Sequence, residues 1–145
     1  MITPLRHLIA AACLLVGTFA WAVEEKSAGS AEQSVQIAES WLKLIDTENY
    51  AQSWKEASSR FRASVTEEKW AAMMGQARQP LGAVKSRDSA GATLALEAPR
   101  LPKGQYWIVR FKTAFEAAKA DEIITLIADT DGQWRVVTFF IRPPT

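Results

Sequence analysis

Two arginines frame a turn in the stretch RQPLGAVKSR, residues 78–87. A guanidinium offers two parallel donors, so Arg78 and Arg87 would together suit a carboxylate or a phosphate if they converged. Helix polarity opposes this. Arg78 falls in the last turn of a helix, where a cation is welcome and an anion is not. The competing reading is plain solvation or ion pairing. Arg62, with Arg60 beside it, would extend a cationic rim, and Tyr106 is the phenol best placed for a site. Arg78, Arg87, Arg62 and Tyr106 are therefore the candidate binding residues. No residue is assigned a catalytic role, and no metal or cofactor is expected.

Those last absences rest on what the chain lacks. It opens with MITPLRH, an apolar run LIAAACLLVGTFA of 13 residues, and small residues at Ala20 and Ala22. That is the layout of a secretory signal, with cleavage expected after Ala22 and a periplasmic or secreted destination. The run is too short to span a bilayer. A lipoprotein reading of Ala10 to Cys13 competes, but it would put LLVGTFAW where a polar tether belongs. Residues 1–22 hold the single His and the single Cys. Residues 23–145 carry 16 Lys+Arg, all but Arg6, against 16 Asp+Glu, a balance that argues against nucleic-acid or anionic-membrane binding. Without His or Cys there is no Ser-His-Asp triad, no thiolate nucleophile and no His/Cys zinc site. A general acid or base would have to be Asp, Glu, Lys or Tyr. The acids of DTD, residues 129–131, read as a turn and not as a calcium loop.

The elements that must carry these side chains divide at Gly82. Residues 23–30 read as a flexible lead and residues 31–145 as one α+β domain. Ser30 and Gln33 have capping-box spacing, and Val35, Ala38, Trp41, Leu42 and Ile45 form one helical face over 31–46. Tyr50, Trp54, Ala57 and Phe61 predict a second helix. A third starts at Ser64 or Thr66, with Trp70, Met73, Met74 and Ala77 as its apolar face. Pro80 is expected to end it by pushing Gln79 out of the helical region. Beyond Gly82 the period becomes two. AVKSRDS and ATLALEA are weak strand candidates, and 106–115, 121–129 and 133–142 are stronger ones. The acids and lysines of 116–122 read as a solvated turn or strand entry, and Asp46 and Glu48 as part of an inter-helix turn.

Asp131-Gly132 between two apolar runs is a hairpin signal. A two-residue loop pairing Thr130 with Gln133 puts Ile124, Leu126, Ala128, Val137, Phe139 and Ile141 on one face. Ile123, Thr125, Ile127, Trp134, Val136 and Phe140 take the other. Both faces are apolar, so the second needs a cover: a curved pocket, a partner subunit, or loops. Trp41, Trp54, Trp70, Trp107 and Trp134 sit at core-facing positions, although a sugar or peptide site would use the same residue type.

ESWLKLIDTENYAQSWKEASSRFR, RQPLGAVKSR, GQYWIVRFKTAF and DGQWRVVTFFIR, in this order, resemble the bacterial domain-of-unknown-function family 4019. More distantly, helices followed by an antiparallel sheet ending in DGQWRVV resemble the cone-shaped domains of the nuclear-transport-factor and ketosteroid-isomerase type. The likeness implies an exported α+β domain, and with the helical and period-two patterns the expected fold is three helices on a curved, cone-like sheet of about five strands. It supplies no activity. The expectation is a non-enzymatic module for an unknown protein or small ligand, with a homodimer through the sheet as one option. The alternative is a small histidine-free enzyme with an acid- or Tyr-based site in a sheet-lined pocket.

Overall fold

The computed structural model describes residues 29–145. The signal segment, its cleavage point and nearly all of the polar lead lie outside the described residues. Helix α1, Ala31–Asp46, begins at the expected capping box: Gln33 N–H donates to Ser30 Oγ, and Ser30 N–H to Gln33 Oε1, each at 3.1 Å. Ala38, Trp41, Leu42 and Ile45 are buried along one face.

The expected second helix is two. Helix α2 spans Tyr50–Glu56 and helix α3 spans Ser59–Ser64. Ala57 and Ser58 between them are extended, and the Ser58 hydroxyl accepts from Phe61 N–H as an N-cap. Ser58 N–H meanwhile donates to Val136 O in the sheet at 2.8 Å, a bond its amide could not make inside a continuous helix. Helix α4, Glu67–Arg78, starts at Thr66 with two acids in its first turn. Its end corrects the proline argument: Gln79 keeps helical dihedrals (φ −54, ψ −47). Pro80 stops the helix by lacking a donor, and Leu81 N–H then closes a tighter turn on Arg78 O at 3.0 Å. Gly82, at φ +74, completes the reversal.

Among the described residues four strands, not five, form an open antiparallel sheet in the order β1-β2-β3-β4. The two weak strand candidates are one strand, β1 (Val84–Ala95), with an irregularity between Ser89 and Ala92 that keeps both halves paired with β2. Strand β2 is Tyr106–Phe115, β3 is Lys119–Ala128 and β4 is Trp134–Arg142.

The last hairpin departs from the expected register in its half nearest the turn. Asp121 to Thr125 pair with Arg142 to Thr138 as expected, but Leu126 pairs with Val136 and Ala128 with Trp134. The loop has three residues: Asp129 N–H donates to Gln133 O, and Gly132 has φ +81. The residue so displaced is Val137. Slipping by one flips side chains between faces, so Val136 and Trp134 join the helix-side core while Val137 goes to the opposite face.

That slip explains most of the two-sided pattern. The helix side holds Trp41, Leu42, Ile45, Phe61, Trp70, Val109, Phe111, Ile124, Leu126, Val136 and Phe139 in one core. Trp41 and Trp70 both donate to Ser53, to its carbonyl at 2.8 Å and its hydroxyl at 2.9 Å. On the other face Tyr106 and Val137 pack beneath Ala98 and Leu101 of the β1–β2 connection. Loops thus supply the cover at that end. Phe140 stays 51% exposed, and Met73, expected in the core, is 49% exposed because only Met74 points inward.

Candidate functional site

Asp46 ends α1, Arg78 ends α4, Arg87 lies on β1 and Glu122 on β3. The fold brings all four together. Arg87 donates through Nη1 to Asp46 Oδ2 at 2.6 Å and through Nη2 to Asp46 Oδ1 at 2.9 Å. It also donates through Nε to Glu122 Oε2 at 2.6 Å and through Nη2 to Oε1 at 3.2 Å. Arg78 reaches Asp46 Oδ1 at 3.0 Å and Glu122 Oε1 at 3.4 Å, with its guanidinium 4.7 Å from the Phe115 ring centroid. Thr113 Oγ1 donates to Glu122 Oε2 at 2.5 Å.

The two arginines therefore converge, as the anion hypothesis requires, but on carboxylates of their own chain. Two cations face two anions. Glu122 is fully buried, and the Arg78 and Arg87 side chains are 8% and 13% exposed. Burial alone would lower the basicity of Arg87, but the bonds to Asp46 and Glu122 and their charges raise it above the ordinary arginine range. The adjoining groove of 490 Å³ is lined by Asp46, Glu48, Tyr50, Arg78 and Gln79.

The turn of RQPLGAVKSR is held from the far end of β2. Glu116 N–H donates to Ala83 O, and Ala83 N–H donates to Glu116 Oε2. Gly82 has a positive φ that favours glycine, and a Cβ there would lie 2.5 Å from that oxygen, so the Glu116 carboxylate would have to move off its bond to Ala83 N–H.

The other candidates lie elsewhere. Arg62 donates to the carbonyls of Lys55 and Ala57, tying α3 to the end of α2. Tyr106 is buried beneath the β1–β2 connection, its hydroxyl donating to Pro102 O at 2.7 Å. Neither shares a partner with Arg78 or Arg87. Sequence reasoning missed Asp46 and Glu122, placing one in a turn and the other in a solvated strand entry. For Glu122 a signal existed: it shares the parity of Ile124 and Leu126, the inward face of β3. For Asp46 the signal was its spacing of four from Leu42 and eight from Ala38 on the inward face of α1.

A second, larger groove of 630 Å³ runs between α1 and the β3–β4 hairpin, lined by Gln36, Ile37, Ser40, Trp41, Gln133 and Trp134 among others. Polar side-chain atoms of Gln36, Ser40, Gln133 and Trp134 make no hydrogen bond among the described residues. By contrast Arg135, at the groove edge, is fully engaged with Asp131 at 2.7 Å through both Nη atoms. Among the described residues no cluster of acids, His or Cys suits a metal ion, and no helix is long and apolar enough to cross a membrane.

The model of the protein-of-unknown-function family DUF4019 matches residues 37–139, from the middle of α1 to the inward-facing Phe139 of β4. The chain belongs to that family. The match reaches every helix and strand of the DUF4019 domain and includes the four charged residues. No curated protein matches the chain.

Proposed function

We propose that this DUF4019 protein is an exported, non-enzymatic binding module that takes a neutral, hydrogen-bonding ligand in the groove between α1 and the last hairpin. The carrying observation is where polar capacity is unspent. In that groove the Trp134 indole, two side-chain amides and a hydroxyl make no hydrogen bond to protein among the described residues, beside apolar Ile37 and Trp41. Sugars and uncharged peptides suit such a surface, because an aromatic ring covers their apolar faces while amides and hydroxyls fix orientation. Two groups an enzyme could use are committed internally: Glu122 to two arginines, and the Tyr106 hydroxyl to Pro102 O. Neither residue lines either groove. Export is supported by the signal-type layout of residues 1–22.

The test is a titration of the purified protein with neutral oligosaccharides and uncharged tripeptides, followed by the Trp134 indole resonance. A saturable shift that weakens at least fivefold in Gln36→Ala and Ser40→Ala is expected. Both residues are exposed, so the fold should survive the changes. No saturable shift, or shifts centred on Tyr50 and Arg78, would refute the assignment. For export, the intact mass of the secreted protein should correspond to a chain beginning at Val23. A diacylglyceryl mass on Cys13 would overturn that part.

A further inference from the structure

Among the described residues strand β1 ends the sheet, and its outer row of backbone donors and acceptors has no ladder partner there. Among the described residues no backbone–backbone bond outside the ladder reaches residues 84–95, although Gly91 N–H donates to Ser89 Oγ and Leu96 O, just past the strand, accepts from Gly104 N–H. The opposite edge differs, because Ser58 N–H already bonds Val136 O there. Proteins guard open edges with charges, bulges or covering elements, since an unguarded edge templates further strands. In β1 the charges Lys85, Arg87 and Asp88 and the irregularity before Ala92 guard the first half. From Ala90 to Leu96 there is no charge at all. Two exposed leucines stand here, Leu94 at 42% in the strand and Leu96 at 69% just past its end.

We infer that a second copy of this chain docks on that edge, β1 pairing antiparallel with β1 about a two-fold axis at Leu94. A two-fold pairing of antiparallel strands keeps paired side chains on one face only when it is centred on a residue. Centred on Leu94, it sets Leu94 against its own copy, Ala92 against Leu96, and Thr93 against Ala95. Leu94 lies across from Trp107 on the helix side of the sheet, so the paired leucines would extend the core edge of each subunit. No charge falls inside the span, and Lys85 and Asp88 lie beyond it. A polar peptide would leave both leucines unmatched, whereas the same segment inverted matches them. The contact is one strand pair and its flanking side chains, small for a permanent dimer, so it should be concentration-dependent. It uses the end of the sheet away from the ligand groove, so its failure would leave the binding proposal untouched.

Sedimentation velocity of the purified protein up to about 200 µM should show the mass doubling with concentration. Leu94→Lys should hold it monomeric over the same range with an unchanged melting temperature, while Phe140→Lys on the other face should leave the dimer intact. Residues 23–145 contain no cysteine. Leu94→Cys should therefore yield a disulfide-linked dimer on mild oxidation, and Met73→Cys, comparably exposed, should not. A protein monomeric throughout, or a dimer dispersed by Phe140→Lys and not by Leu94→Lys, would overturn the inference.

Discussion

Glu122→Gln isolates the charge at the centre of the buried network. The side chain keeps its size, so no cavity opens, but one oxygen becomes an amino group facing a guanidinium. Donor then meets donor. Three bonds from Arg78 and Arg87 are affected, at 2.6, 3.2 and 3.4 Å, and the 2.5 Å bond from Thr113 weakens. Removing one partner from a buried ion pair costs about 3–5 kcal/mol, because the remaining charge stays desolvated. Asp46 is retained, bonds both arginines, and is 24% exposed, so water can reach it. The expected loss is therefore at the lower end, about 3 kcal/mol. For a domain of this size that corresponds to a fall in melting temperature of roughly 10–15 °C. Urea titration should show an earlier midpoint with an unchanged slope. Asp46→Asn, at the exposed end of the same network, should cost less, about 1–2 kcal/mol. A Glu122→Gln loss below about 1 kcal/mol would mean that water enters the site and that the arginines are not held by it. Replacing the whole network by apolar residues is a different experiment and can be neutral.

Three further outcomes are expected. Gly82→Ala should cost roughly 1–3 kcal/mol in urea titration, combining a positive φ with the Glu116 clash. Trp70→Ala should cost about 3–5 kcal/mol and leave the buried Ser53 hydroxyl without a donor, whereas the half-buried Trp134→Ala should cost less, about 2 kcal/mol. For pH, Arg135 beside Asp131 and Lys112 beside Asp121 hold those carboxyls below their ordinary range; at Asp129 burial pushes upward, and bonds from Ser59 outweigh it. A lowered folded-state pKa gives stability that is present above the ordinary carboxylate pKa of 3.8 and lost as pH falls below it, so thermal melts should show an acid limb there. Arg87 is shifted further upward from an already strongly basic value, so it adds no pH dependence in the accessible range.

The first helix and its capping box, the strands from 106 to 142 and the class of fold were legible in the sequence because local rules decide them. Helical spacing around Trp41, period-two alternation around Val109, and Ser30 with Gln33 act over a few residues. The split at Ala57 and Ser58 was not legible, since it depends on an amide bonding a strand 78 positions away. Nor was the one-residue slip that moved Val136 and Val137 to opposite faces. Turn length sets it, and Asp131-Gly132 is compatible with loops of two or three residues. The arginines of RQPLGAVKSR could be picked out by type, but not their fate. Asp46 and Glu122 come from α1 and β3, each more than 30 residues from the arginines in the chain, and charge pairing acts through space. Residue chemistry alone marked two cations that would hold an anion; only the tertiary structure decided that the anions are Asp46 and Glu122.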